Sequence, residues 1–150
     1  MYEDQNQFSK GCLAGLVAAF LMFVFVESFR WAGLTKFGIS KLAGDTVFTY
    51  QNNLLMSIIA FLINELVGMF WGVVIAFLFT KFFAGDYFFS KMLFVCFCIF
   101  FFHLGFLDEP FHYPREIHKQ TLDLLVIMMG YMIYGITLGA IFKKLRLIKS

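Results

Sequence analysis

Seven acidic, basic or imidazole side chains crowd into the sixteen-residue segment HLGFLDEPFHYPREIH: His103, Asp108, Glu109, His112, Arg115, Glu116 and His118. Carboxylates beside imidazoles are the ligand types that hold zinc and other transition metals. The step from Glu109 to His112 has the Glu-x-x-His spacing of di-iron helix bundles. That step works only where both side chains project from one helix face, and Pro110 and Pro114 interrupt a helix there. A solvated, proline-bent loop is the expectation, with Asp108, Glu109, His112 and His118 as the set that would ligate a metal. Three histidines in the whole chain are too few for a membrane desaturase. No Gly-rich phosphate loop, Gly-x-Ser-x-Gly elbow, His-Glu-x-x-His or Cys-x-x-Cys occurs. The sequence therefore points away from an enzyme and implies no cofactor.

The second place for chemistry is Glu65, the lone acidic or basic residue between positions 54 and 80. That stretch is longer than the roughly 20 apolar residues needed to cross a bilayer. An unpaired carboxylate deep in such a span costs on the order of 3 kcal/mol even on lenient insertion scales, so Glu65 must face other helices. Glu65, Gly68, Gly72 and Ala76 recur at three- and four-residue spacing and share one face. Small residues on that face allow close helix approach in lipid. Tyr131, Gly135 and Gly139 repeat the pattern, with Tyr134 beside them.

Two further polar residues fall at the ends of apolar stretches. Glu27 and Arg30 are three apart, which suits a local ion pair with a snorkelling arginine. His103 shares a helix face with Cys96, and a neutral imidazole bonded to a neighbouring helix, to Glu27 or to Glu65 would satisfy it.

The elements that must position these residues follow from composition. The 150 residues are 61% hydrophobic, 21% aromatic and only 15% charged, against roughly 25% charged in a soluble domain. The chain reads as an all-α polytopic membrane protein, one membrane domain over residues 1–150. Apolar spans at about 11–29, 54–82, 88–106 and 121–142 form an antiparallel bundle of four transmembrane helices. The first is too long for a signal-peptide core and is read as a retained helix. Gly11, Ala14, Gly15, Ala18 and Ala19 give it a small face. The three cysteines sit in apolar segments and imply no disulfide framework. The 23 phenylalanines read as lipid-facing and packing side chains.

Residues 31–53 are expected to hold at most a short surface helix with poor periodicity, and Asp45 after Gly44 reads as a turn. The short connection after Lys81 makes the second and third spans antiparallel neighbours. Residues 71–81 (WGVVIAFLFTK) align without gaps on residues 134–144 (YGITLGAIFKK), which fits a parallel duplication of a two-helix unit. With both termini cytoplasmic, Lys10, Lys81, Lys91, Lys143, Lys144, Arg146 and Lys149 lie inside, against Arg30, Lys36, Lys41, Arg115 and Lys119 outside. Seven against five follows the positive-inside rule. The basic tail also suits anionic headgroups.

The last span, LLVIMMGYMIYGITLGAIF, follows a Pro-containing aromatic loop, and the chain opens with a Gly-rich span. In Thr121, Tyr131, Tyr134, Gly135 and Gly139 it resembles the YqhR-type conserved membrane proteins of endospore-forming bacteria. Glu109-Pro110 stands where Asn-Pro would be expected, and Glu65 has no assigned counterpart. The resemblance implies a four-helix membrane protein of unknown activity and supplies no catalytic residues.

Two functions remain open. The first is a non-enzymatic membrane component or accessory subunit, whose partners are the lipid bilayer and either another membrane protein or a second copy. The second is a small transporter or proton-handling protein that uses Glu65. A net charge of +2 and the lack of a basic, aromatic-interleaved patch exclude nucleic acid as a partner.

Overall fold

In the computed structural model, residues 2–47, 54–83, 86–106, 120–145 and 147 are described, and the long apolar stretches among them are helical. Helices α1 (Tyr2–Trp31), α3 (Leu54–Lys81) and α5 (Thr121–Lys144) are long and apolar enough to cross a membrane. Helix α4 (Phe88–Phe101) is shorter and continues into a π-helical turn, Phe102–Phe106. Helix α2 (Ile39–Val47) lies in the connection between α1 and α3. The described residues form an all-helical bundle whose three long apolar helices suit a multi-pass membrane protein, and Leu13, Leu16, Phe20, Leu62, Leu66, Phe70 and Phe94 are exposed on its outside.

Small residues decide which helices touch. Gly11, Ala14, Gly15, Ala18 and Ala19 of α1 are buried, and α1 packs against α3 more extensively than any other helix pair. A Cβ placed on Gly72 would lie 2.6 Å from Gly15 Cα, and one on Gly11 would lie 2.9 Å from Val73 Cα. The two backbones therefore approach as closely as glycine permits. The opposite half uses the same device: Gly135 meets Cys96, and Gly139 meets Phe89, so α5 packs on α4 as well as on α1. Leu138, Phe142, Phe79, Ile75, Met92 and Ile127 fill the centre.

Three local expectations change. Helices α3 and α4, despite their short connection, are not a close backbone pair. Each turns its small or buried face to another helix, and aromatic rings bridge the space between them: Trp71 with Phe102, Trp71 with His103, and Phe79 with Phe88. Gly44 and Asp45 lie inside α2 and make no turn. That helix is anchored by buried Phe37, Ile39 and Leu42, an apolar set dense enough to hold a short amphipathic helix against α3. Trp31, grouped with this segment by sequence, ends α1 and is exposed.

Candidate functional site

Among the described residues the polar interior contains three constellations of interest. The first is at the α1–α2 corner. Glu27, 1% exposed, accepts at Oε2 from Arg30 Nη1 (3.0 Å). Its Oε1 accepts from both the Ser40 backbone N–H and the Ser40 hydroxyl, each at 2.7 Å. Arg30 also donates to Ser40 Oγ. Ser40 lies in the first turn of α2, so Glu27 caps the N-terminus of that helix from a distance, where a carboxylate meets both unsatisfied N–H groups and the positive end of the helix dipole. Gly38 is required beside it, because a Cβ there would fall on the Glu27 carboxylate. The expected Glu27–Arg30 pair is present, within a larger arrangement that sequence spacing does not reveal.

Asp123, 1% exposed in the first turn of α5, holds the same corner from the other side. Its Oδ1 accepts from the Lys36 backbone N–H at 3.1 Å. With the Gln120 amide turned so that both ends are satisfied, Gln120 donates to Asp123 Oδ2 (3.2 Å) and accepts from Lys36 Nζ (3.1 Å). Sequence reasoning missed Asp123. The available signal was an acid placed in the first turn of an otherwise apolar helix, where the dipole favours it. Its partner lies 87 positions upstream, which no local pattern encodes.

The second constellation joins three helices. Trp71 Nε1 of α3 donates to His103 Nε2 at 3.2 Å, and His103 Nδ1 lies 2.6 Å from the Tyr131 hydroxyl of α5. Indole N–H is only a donor, so Nε2 carries the lone pair and the ring proton resides on Nδ1, directed at Tyr131 Oη. The tautomer is thus assigned by its partners. His103 sits in the π-helical turn, a feature that alters side-chain direction late in a helix and recurs at functional sites. Tyr134, buried next to this group, donates to the Gly68 carbonyl at 2.7 Å, reaching from α5 to α3.

The third constellation is Glu65, 7% exposed on α3. Glu65, Gly68, Gly72 and Ala76 are all buried. Asn64 Nδ2 approaches Glu65 Oε1 at 3.4 Å and the Ala19 carbonyl at 3.5 Å, and Glu65 Oε2 has no hydrogen-bond partner among the described residues. Glu27 and His103 do not bond it; each is engaged in its own group. A small cavity of about 40 Å³ adjoins, lined by Asn64 and Trp71 of α3, His103, and Tyr131 and Tyr134 of α5.

Asp108, Glu109, His112 and His118 lie outside the described residues, as do Arg115 and Glu116. Among the described residues no three His, Cys, Asp or Glu side chains are grouped as a metal would need. Cys12, Cys96 and Cys98 are free thiols.

The chain matches no protein family, no curated protein and no solved structure.

Proposed function

We propose that this is a non-enzymatic component of the cell membrane in which four helices cross the bilayer, with the α4–π-turn segment as the fourth span, and whose polar interior fixes helix geometry. The observation that carries this reading is the Glu27–Ser40 cap together with the Asp123–Lys36 bond. Glu27 and Asp123, both fully buried, hold backbone N–H groups of one connection, a positioning task that turns neither of these two carboxylates toward a substrate. The aligned Gly72 and Gly135 face α1 and α4 respectively, in each case the first apolar helix of the proposed unit, which supports descent from a duplicated two-helix unit. Likeness to the YqhR-type proteins rests on Thr121, Tyr131, Tyr134, Gly135 and Gly139 of α5, the Pro-containing loop before it and the Gly-rich first span.

Charge disposition supports cytoplasmic termini. Lys81, Lys143 and Lys144 are exposed at one end of the bundle. At the other end Arg30 pairs with Glu27, Lys36 meets Gln120 and Lys41 lies over the Phe37 ring. Among the described residues, Lys81, Lys143 and Lys144 are the exposed cations at the end of the bundle that carries the termini, where they can meet anionic headgroups and set orientation. Reporter fusions at Ser150 and within residues 108–118 test this, with cytoplasmic activity expected only at Ser150.

A membrane component of this kind works through association, with another membrane protein or a second copy. Cross-linking in native membranes, followed by mass measurement in nanodiscs, is expected to capture a defined complex. A bare monomer under both conditions would refute the proposal. The second reading, proton or ion handling, is favoured by one observation only, the buried and unpartnered Glu65 Oε2.

A further inference from the structure

Among the described residues, the tryptophans and tyrosines divide into two groups. Trp71, Tyr131 and Tyr134 lie within the bundle and find partners there: Trp71 donates to His103, Tyr131 bonds the same imidazole, and Tyr134 donates to the Gly68 carbonyl. Trp31 and Tyr87 turn outward instead, 72% and 81% exposed. They stand at opposite ends of the bundle. Trp31 closes α1, whereas Tyr87 precedes α4 just beyond the end of α3. At that second end Lys10 donates to the Leu145 carbonyl and Thr80 Oγ1 meets Gln7 Oε1, so the first turns of α1 share a level with the ends of α3 and α5. Between the two levels the outward residues of α1, such as Leu13, Phe20 and Val24, are purely apolar.

Packing does not account for either outward ring. After Trp31 the helix stops abruptly: the Gly33 N–H bonds the Arg30 carbonyl and the Leu34 N–H bonds the Phe29 carbonyl, both at 3.0 Å, with Gly33 at φ +73°. This is a Schellman turn. It ends α1 firmly and leaves Trp31 and Leu34 both facing outward. Tyr87 has φ +60°, a left-handed conformation that a bulky residue adopts only at a cost and that glycine would take freely. A ring this exposed gains too little inside the described bundle to offset that cost. The compensating contact lies outside the chain.

From Lys10 to Trp31 helix α1 rises about 30 Å at roughly 1.5 Å per residue, which matches the hydrocarbon core of a bilayer. A ring with an apolar body and a polar tip is favoured at the edge of that core, where one end of it is dry and the other wet. The Glu27–Arg30 ion pair lies within a turn of Trp31, close to the same polar layer. We propose that Trp31 and Tyr87 are the lipid-interface anchors of this protein, one ring in the ester and headgroup layer of each leaflet, and that together they fix the depth of the bundle in the bilayer. The partner is the phospholipid surface, because the two rings bracket an apolar belt of bilayer thickness. This inference rests on the membrane-spanning reading above and adds the residues that set its position.

The test is fluorine NMR on the full chain in phosphatidylcholine nanodiscs, with fluorotryptophan and fluorotyrosine incorporated. Trp31→Phe and Tyr87→Phe assign the two signals, and both rings are exposed, so neither change disturbs the fold. A spin label near the ester end of the lipid chain is expected to broaden both signals several-fold more than a label at the chain terminus. Trp71, well inside α3, is expected to show the reverse order. Outer rings broadened mainly by a water-soluble paramagnet, or mainly by the chain-terminal label, would overturn the anchors, and a Trp71 that still answers to the terminal label would leave the membrane-spanning reading intact. A Trp71 indifferent to both lipid labels would refute that reading and the anchors with it.

Discussion

Tyr134 Oη and the Gly68 carbonyl oxygen lie 2.7 Å apart, a hydrogen bond that spans from α5 to α3, two helices whose backbones are not close neighbours. The long phenol crosses because Gly68 carries no side chain to stop it. Gly68 is at once a packing site for Ala19 of α1 and an acceptor for α5, so one position couples three helices. Tyr134→Phe keeps the ring and loses the bond. Interhelical hydrogen bonds in membranes average about 0.6 kcal/mol, so only a small drop in thermal stability in detergent is expected. Gly68→Leu should instead prevent α1 from docking and abolish the folded state.

The α1–α2 corner should be far less tolerant. Glu27→Ala leaves Arg30 without its carboxylate and the first turn of α2 without its cap. Breaking a buried, hydrogen-bonded charge pair costs about 3–5 kcal/mol. Gly38→Ala should be nearly as damaging, since the new methyl would displace the same carboxylate. Gly33→Ala is the control. Its φ of +73° opposes a side chain but nothing lies within 4 Å, so about 1–2 kcal/mol is expected. Chemical denaturation in mild detergent would rank the three.

Much of this was legible because membrane helices announce themselves. The apolar spans at 54–82 and 121–142 end within two residues of α3 and α5. The small faces of α1 and α3 are where glycine spacing places them, because close approach in lipid depends on little else. The Glu27 cap and the Asp123 bond were not legible, since each pairs a side chain with a backbone N–H far along the chain. The expectation that α3 and α4 pack as close neighbours came from treating a short connection as adjacency, whereas among the described residues only side-chain rings join them. Gly72 facing α1 and Gly135 facing α4 outweigh connection length. Likewise Gly44 and Asp45 suit a turn in isolation, but buried Ile39 and Leu42 commit the segment to helix.

Trp71 sets the His103 tautomer, and that is measurable. Nitrogen-15 NMR of labelled histidine should find His103 protonated on Nδ1 in the unaltered protein. In Trp71→Phe the donor to Nε2 is gone, so the Nδ1–H form should lose its exclusive population. An unchanged tautomer would show that Tyr131 alone sets it.

Glu65 separates the scaffold from its rival, so the most direct measurement is proton and cation flux in reconstituted vesicles carrying the unaltered protein or Glu65→Gln. The amide keeps the shape and most hydrogen bonds of the acid but cannot exchange a proton. The expected result is a folded Gln variant of near-normal stability, with neither protein moving protons or cations faster than empty vesicles. Flux through the unaltered protein that disappears in folded Glu65→Gln would contradict the scaffold account and make Glu65 the centre of a transporter.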